Sequence, residues 1–122
     1  IEREFCRYEE YRTEDAEYIC VGYGTTARIL RAVVDALREQ GVRIGLFRPI
    51  TLWPFPRAAL RSAAAGCKAV MVAEMAYAQL EEDVRMHLEG TAPVKGFYTL
   101  GGAVFNDEDL ARDIRAFIGE SK

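Results

Sequence analysis

The sequence is poor in the residues that most often carry chemistry. Its one histidine, His87, sits in a charged helical pattern, where a surface or core role is the ordinary one. Its three cysteines, Cys6, Cys20 and Cys67, lie far apart and form no CxxC pair. That argues against a disulfide framework or a cysteine-ligated cluster, and points to buried free thiols in a reducing cytoplasm. No apolar run approaches the ~20 residues that a transmembrane helix needs. Lys and Arg number 16 against 19 Asp and Glu, and the net charge is -3. The cations do not cluster, which argues against nucleic acid, whose phosphates demand a basic face. Proline is scarce as well, yet three of the four prolines fall within one stretch, "RPITLWPFP" (48–56).

What is present is a chain of 122 residues, half of them hydrophobic, enough for one domain (1–122) with a real core. It begins at Ile1 in charged sequence and is expected to be a fragment of a longer subunit. Apolar runs at 17–23, 42–47, 68–75 and 93–100 read as buried strands. Between them come helical patterns at 25–41, 56–65, 79–90 and 106–119. The clearest, "TTARILRAVVDALREQG", lines Ile29, Leu30, Val33, Val34 and Leu37 on one face, with Thr25 placed to cap its start. Asn106 is placed to cap the last helix. Alternating strands and helices with short links predict parallel strands joined by right-handed crossovers, in a sheet covered on both faces. Residues 3–12, rich in aromatics and charges, are expected to form an antiparallel edge strand.

In such a sheet ligands and partners meet the carboxyl ends of the strands. Four loops gather there: 22–28, 48–56, 74–79 and 100–105. "GYGTTA" matches G-x-G-x-x-A, so Gly24, Thr25 and Thr26, with Arg48 from the next strand end, are candidates to bind an anion. The acid expected for a dinucleotide ribose is absent, since Phe47 and Arg48 stand there, and only an NADP-type reading survives. The plain reading is a tight turn at Gly22 and Gly24. Glu74, the one acid in "VMVAEM", is read as a structural carboxylate bonding a neighbouring loop's backbone, rather than as a general base. Glu81, Glu82 and Asp83 fit the favoured acidic start of a helix better than a metal site. No catalytic set and no metal-ligand spacing emerges. The edge instead carries Tyr23, Trp53, Phe55, Tyr77 and Phe105, an apolar rim of the kind that marks an interface.

These residues carry a resemblance. "VGYGTTARILRAVVDALREQGVRIGLFRPITLWPFP" followed by "VMVAEMAYAQLEEDV" resembles the second domain of the alpha subunit of thiamine-diphosphate-dependent 2-oxoacid:ferredoxin oxidoreductases, a transketolase C-terminal-like domain. The likeness spans roughly residues 15 to 118, and departs from the family at Ala78, where a glycine often precedes Gln79. It implies a three-layer α/β/α sandwich with a five-stranded, mostly parallel sheet and one antiparallel edge strand. It also implies a non-catalytic assembly domain within a cytoplasmic complex that decarboxylates a 2-oxoacid oxidatively, passes the acyl group to coenzyme A and reduces ferredoxin. Thiamine diphosphate, Mg and iron–sulfur clusters are then expected elsewhere in the complex, and the expected partners are the other domain of the alpha subunit and the beta subunit. Two other readings of the residues stand beside it: a stand-alone NADP- or phosphate-binding α/β domain using Gly22, Gly24, Thr25 and Arg48, and a regulatory module that borrowed the fold.

Overall fold

A computed structural model describes residues 7–50, 56–75, 79–99 and 105–120. Five strands and four helices alternate along them: β1 Tyr8–Tyr11, β2 Tyr18–Val21, α1 Thr25–Glu39, β3 Ile44–Pro49, α2 Arg57–Ala64, β4 Ala69–Met75, α3 Gln79–His87, β5 Val94–Thr99 and α4 Asp107–Glu120. The strands form one sheet in the order β1-β3-β2-β4-β5. β2 pairs in parallel with β3 and β4, and β4 in parallel with β5. β1 alone runs antiparallel, with Tyr8 opposite Pro49 and Tyr11 opposite Leu46. The result is a three-layer α/β/α sandwich with one antiparallel edge strand, as the sequence predicts.

Alternate residues of the strands feed two cores. Tyr18, Cys20, Ile44, Leu46 and Met71 pack with Leu30, Val34 and Leu37 of α1 and Leu110 and Ile114 of α4. Ile19, Val21, Phe47, Val70 and Val72 pack with Leu60 of α2, Leu80 and Val84 of α3, and Leu88 just after it. Every residue of β2 is buried, the signature of a central strand covered on both faces. Phe97 of β5 meets Phe117 of α4 edge to face, with ring centroids 6.3 Å apart.

The crossovers decide where the working edge lies. The chain leaves β2 through α1 on one face, and leaves β4 through α3 on the other. The sheet order therefore reverses between β2 and β4, and this is the switch point where open α/β sheets meet their ligands and partners.

Two local details differ from the sequence expectation. Thr25 does not cap α1. Gly24 occupies that place with φ 60°, a left-handed conformation suited to glycine, and no side chain caps the helix. β3 runs on through Arg48 and Pro49, where a loop was expected. The cause is β1. Ile50 donates its amide to Arg7 O at 2.9 Å, so the Pro49 nitrogen, one residue earlier, faces the β2 side. β2 pairs no further than Val21 opposite Phe47, so the missing amide proton has nothing to bond there.

Candidate functional site

At the switch point, Gly22–Thr25 follow β2 on one side and the end of β4 lies on the other. Gly22 is buried, and a methyl there would press on Leu30 and Thr26, so the backbone itself forms this side. Thr26 is buried and Thr25 exposed at the first turn of α1, which carries no acidic residue. Glu74 is only 4% exposed. Its carboxylate oxygens accept the amides of Leu80 at 3.0 Å and Glu81 at 2.9 Å. Those amides belong to the first turn of α3 and have no partner within the helix, so Glu74 caps α3 from the strand before it. A carboxylate with both oxygens engaged in this way positions backbone and is poorly disposed to take a proton from a substrate.

The anion candidates separate in space. Arg48 pairs with Glu9 at 2.9 Å and lines a cleft with Ala27, Arg28, Arg31, Leu46, Glu9, Glu10 and Tyr11. Thr25 lines a different depression, with Arg28, Ile29, Ala32, Phe105, Asn106 and Asp107. Arg28 is common to both. Arg28, Arg31 and Tyr11 escape sequence reasoning because they meet only when β1 pairs with β3.

Of the aromatic rim, Tyr23 is 41% exposed beyond the end of β2. Phe105 is half-buried and packs against the core between α1 and α4. Trp53, Phe55 and Tyr77 lie outside the described residues. The structure adds Ile50, 48% exposed after β3, and Tyr98, 44% exposed near the end of β5. Tyr8 also belongs here, because β1 is antiparallel and its start lies beside Pro49. Its ring stacks on Phe47 at 5.3 Å. Tyr98 leans back along β5 toward Gly96, so Tyr8, Tyr23 and Ile50 are the large side chains that stand open along the carboxyl edge among the described residues.

Cys20 and Cys67 are spent on packing, and Cys6 lies outside the described residues. Burial pushes the Cys20 thiol up to about 12, and its Sγ donates to Gly45 O at 3.3 Å. Burial also raises the Cys67 thiol. Among the described residues no His, Cys, Asp or Glu group is arranged to hold a metal ion, and no helix is long and apolar enough to cross a membrane.

A parallel sheet with one reversed edge strand, an apolar carboxyl edge and a strand-end carboxylate given to helix capping defines a class of α/β domain, and the comparisons say which. Residues 16–110 match the family model of pyruvate:ferredoxin oxidoreductase core domain II. The ketoisovalerate oxidoreductase subunit VorB of Methanothermobacter marburgensis is 40% identical over 121 residues, which is 99% of this chain and 34% of that subunit. Among solved structures, a 2-oxoglutarate:ferredoxin oxidoreductase from Magnetococcus marinus superposes with a TM-score of 0.73 at 21% identity, covering 90% of this chain and 19% of that one. A split-gene transketolase superposes at 0.74 and 21% identity, covering 94% and 42%. The chain belongs to the core domain II family of the 2-oxoacid:ferredoxin oxidoreductases, with a transketolase C-terminal-like fold. It spans about a third of the length of the curated relative it matches.

Proposed function

We propose that this chain is a non-catalytic assembly domain of the alpha subunit of a 2-oxoacid:ferredoxin oxidoreductase. One observation carries the reading: Tyr8, Tyr23 and Ile50 stand open along the edge where open α/β sheets meet their ligands and partners. Glu74, the buried carboxylate at that edge among the described residues, is meanwhile engaged by the α3 amides. In this reading the edge is covered by the other domain of the alpha subunit and by the beta subunit. The whole cytoplasmic complex converts a 2-oxoacid to its acyl-CoA, with ferredoxin as electron acceptor. Thiamine diphosphate, Mg and iron–sulfur clusters are held by its other parts. The family and relatives named above are described by pyruvate, ketoisovalerate and 2-oxoglutarate, so the particular oxoacid is set outside this chain.

Substitution separates an interface from a self-packed edge. Tyr23→Ala and Ile50→Ala should change the unfolding free energy by less than about 0.5 kcal/mol, as surface changes do. At least one should weaken subunit association by more than ~1 kcal/mol, as a hot spot does. A large loss of melting temperature with normal assembly would overturn the reading. The competing reading is an NADP- or phosphate-binding domain. It draws on the start of α1, which has no side-chain cap and no first-turn acid. Micromolar NADP binding that is weakened by Arg48→Ala would favour it instead.

A further inference from the structure

Beyond the carboxyl edge, the flank where β1 projects past α1 carries a second surface of a different chemistry. Residues 44, 46 and 48 of β3 share one face of the sheet, the face that packs on α1 through Ile44 and Leu46. Glu9 and Tyr11 lie opposite Arg48 and Leu46 in the β1–β3 ladder, so they share that face. Between them and α1 lies a cleft of about 240 Å³.

Three guanidinium groups line it. Arg48 is held by Glu9 at 2.9 Å. Arg31 lies over the Tyr11 ring at 4.4 Å, and that ring is itself fixed by its hydroxyl, which donates to Asp35 Oδ1 at 2.7 Å. A guanidinium held over an aromatic ring has five N–H donors and can still offer a pair of them to a carboxylate. Among the described residues, Arg28, which is exposed, has no ion pair or hydrogen bond, and Arg31 has no carboxylate within ion-pair distance. Of the two carboxylates in the lining, Glu9 is paired with Arg48, while Glu10 accepts the Thr13 hydroxyl at 2.7 Å and keeps its charge, so three arginines face two acids. Among the described residues, two neighbouring arginines of this groove, one of them held over an aromatic ring, thus form no ion pair.

We propose that the cleft between β1 and α1 docks an acidic protein segment, with carboxylates of the partner pairing with Arg28 and Arg31. A protein is favoured over a small anion because the arginines are exposed. A single anion gains little from water-screened cations, whereas a partner that covers the cleft removes that water and engages both forks together.

The test uses the protein at its full natural length and a fluorescently labelled octaglutamate peptide, read by anisotropy at low and physiological salt. Saturable binding is expected, weakening as salt rises. Arg28→Glu with Arg31→Glu should weaken it at least tenfold, while Arg61→Glu, on α2 in the opposite layer, should leave the loss under threefold. Arg28→Gln alone removes an exposed side chain with no partner among the described residues and should weaken binding several-fold without altering the melting curve, which guards against misfolding of the double variant. No binding at low salt, or an equal loss with Arg61→Glu, would overturn the proposal. So would inorganic phosphate displacing the peptide at an equal concentration of charge, because the cleft would then be a small-anion site.

Discussion

Glu74 and Leu80 are joined by a hydrogen bond of 3.0 Å from the Leu80 amide to the Glu74 carboxylate, and the second carboxylate oxygen takes the Glu81 amide at 2.9 Å. A buried strand end is thereby tied to the helix that follows it. Glu74→Gln replaces one acceptor by an NH₂ group facing an amide donor. Its expected penalty is about 1.5–3 kcal/mol, the range for hydrogen bonds to charged groups. Urea unfolding of the variant measures it. A general base would behave differently, with activity lost at unchanged stability.

Gly45 and Gly96 are expected to respond differently to the same substitution. A methyl on Gly45 would lie 2.6 Å from Arg12 O and 2.9 Å from Thr13 Cα, both backbone atoms that cannot step aside. Gly45→Ala should therefore destabilise by about 1–3 kcal/mol, as overpacking does. At Gly96 the obstacles are the ends of Glu81 and Tyr98, which can swing away. Gly96→Ala should remain within ~1 kcal/mol. Thermal melting of the two variants side by side decides it.

Cys20 makes the fold sensitive to alkali. Its folded value is raised from 9.0 to about 12 by burial, so the neutral thiol is favoured in the native state. The stability this supplies is fully present below pH 9 and is lost as pH climbs towards 12. The slope is at most about 1.4 kcal/mol per pH unit. Cys20→Ala should flatten the decline in unfolding free energy between pH 9 and 10.5. The wild-type thiol should resist iodoacetamide at pH 8.5 until the chain unfolds.

Most of the scaffold is legible in the sequence. The buried strands announce themselves as continuous apolar runs, and the α1 stripe of Leu30, Val33, Val34 and Leu37 is buried as its spacing predicts. Asn106 does cap the last helix, its Oδ1 accepting the Asp109 amide at 3.1 Å. What escapes depends on pairing between distant segments. Pro49 reads locally as a loop residue, but becomes strand because Tyr8 lies opposite it. The same pairing sets Tyr11 beneath Arg31 and Glu9 against Arg48, so the arginine cleft has no local signal. Tyr98 lies in a run that reads as a buried strand, and its exposure follows from β5 being the last strand of the sheet.

Arg38 anchors this reversed edge, and the anchor is open to acid. Its Nε donates to Ile44 O at 2.9 Å, and its Nη2 to Arg12 O and Asp15 Oδ1, both at 2.7 Å. One side chain on α1 thus ties the turn after β1 to the start of β3. The Asp15 carboxyl is held below its usual value of 3.8, first by the hydrogen bond from Arg38, against a smaller opposing effect of burial. A depressed carboxyl contributes stability that is present above the unfolded value and is lost as pH falls through the folded one. The contribution is therefore intact at neutral pH and fades only below about pH 4. Arg38→Leu keeps the bulk on α1 but removes all of these bonds. It should speed hydrogen exchange at the Arg48 and Ile50 amides, the β3-end amides that face β1, while leaving Val70 and Val72 of β4 protected. Asp15→Asn should leave the neutral-pH exchange pattern nearly intact and flatten the wild type's extra loss of β1 protection between pH 4 and pH 3. Uniform exchange across β1 and β4 in Arg38→Leu would show that the edge strand unfolds only with the whole sheet, and that Arg38 is no separate anchor.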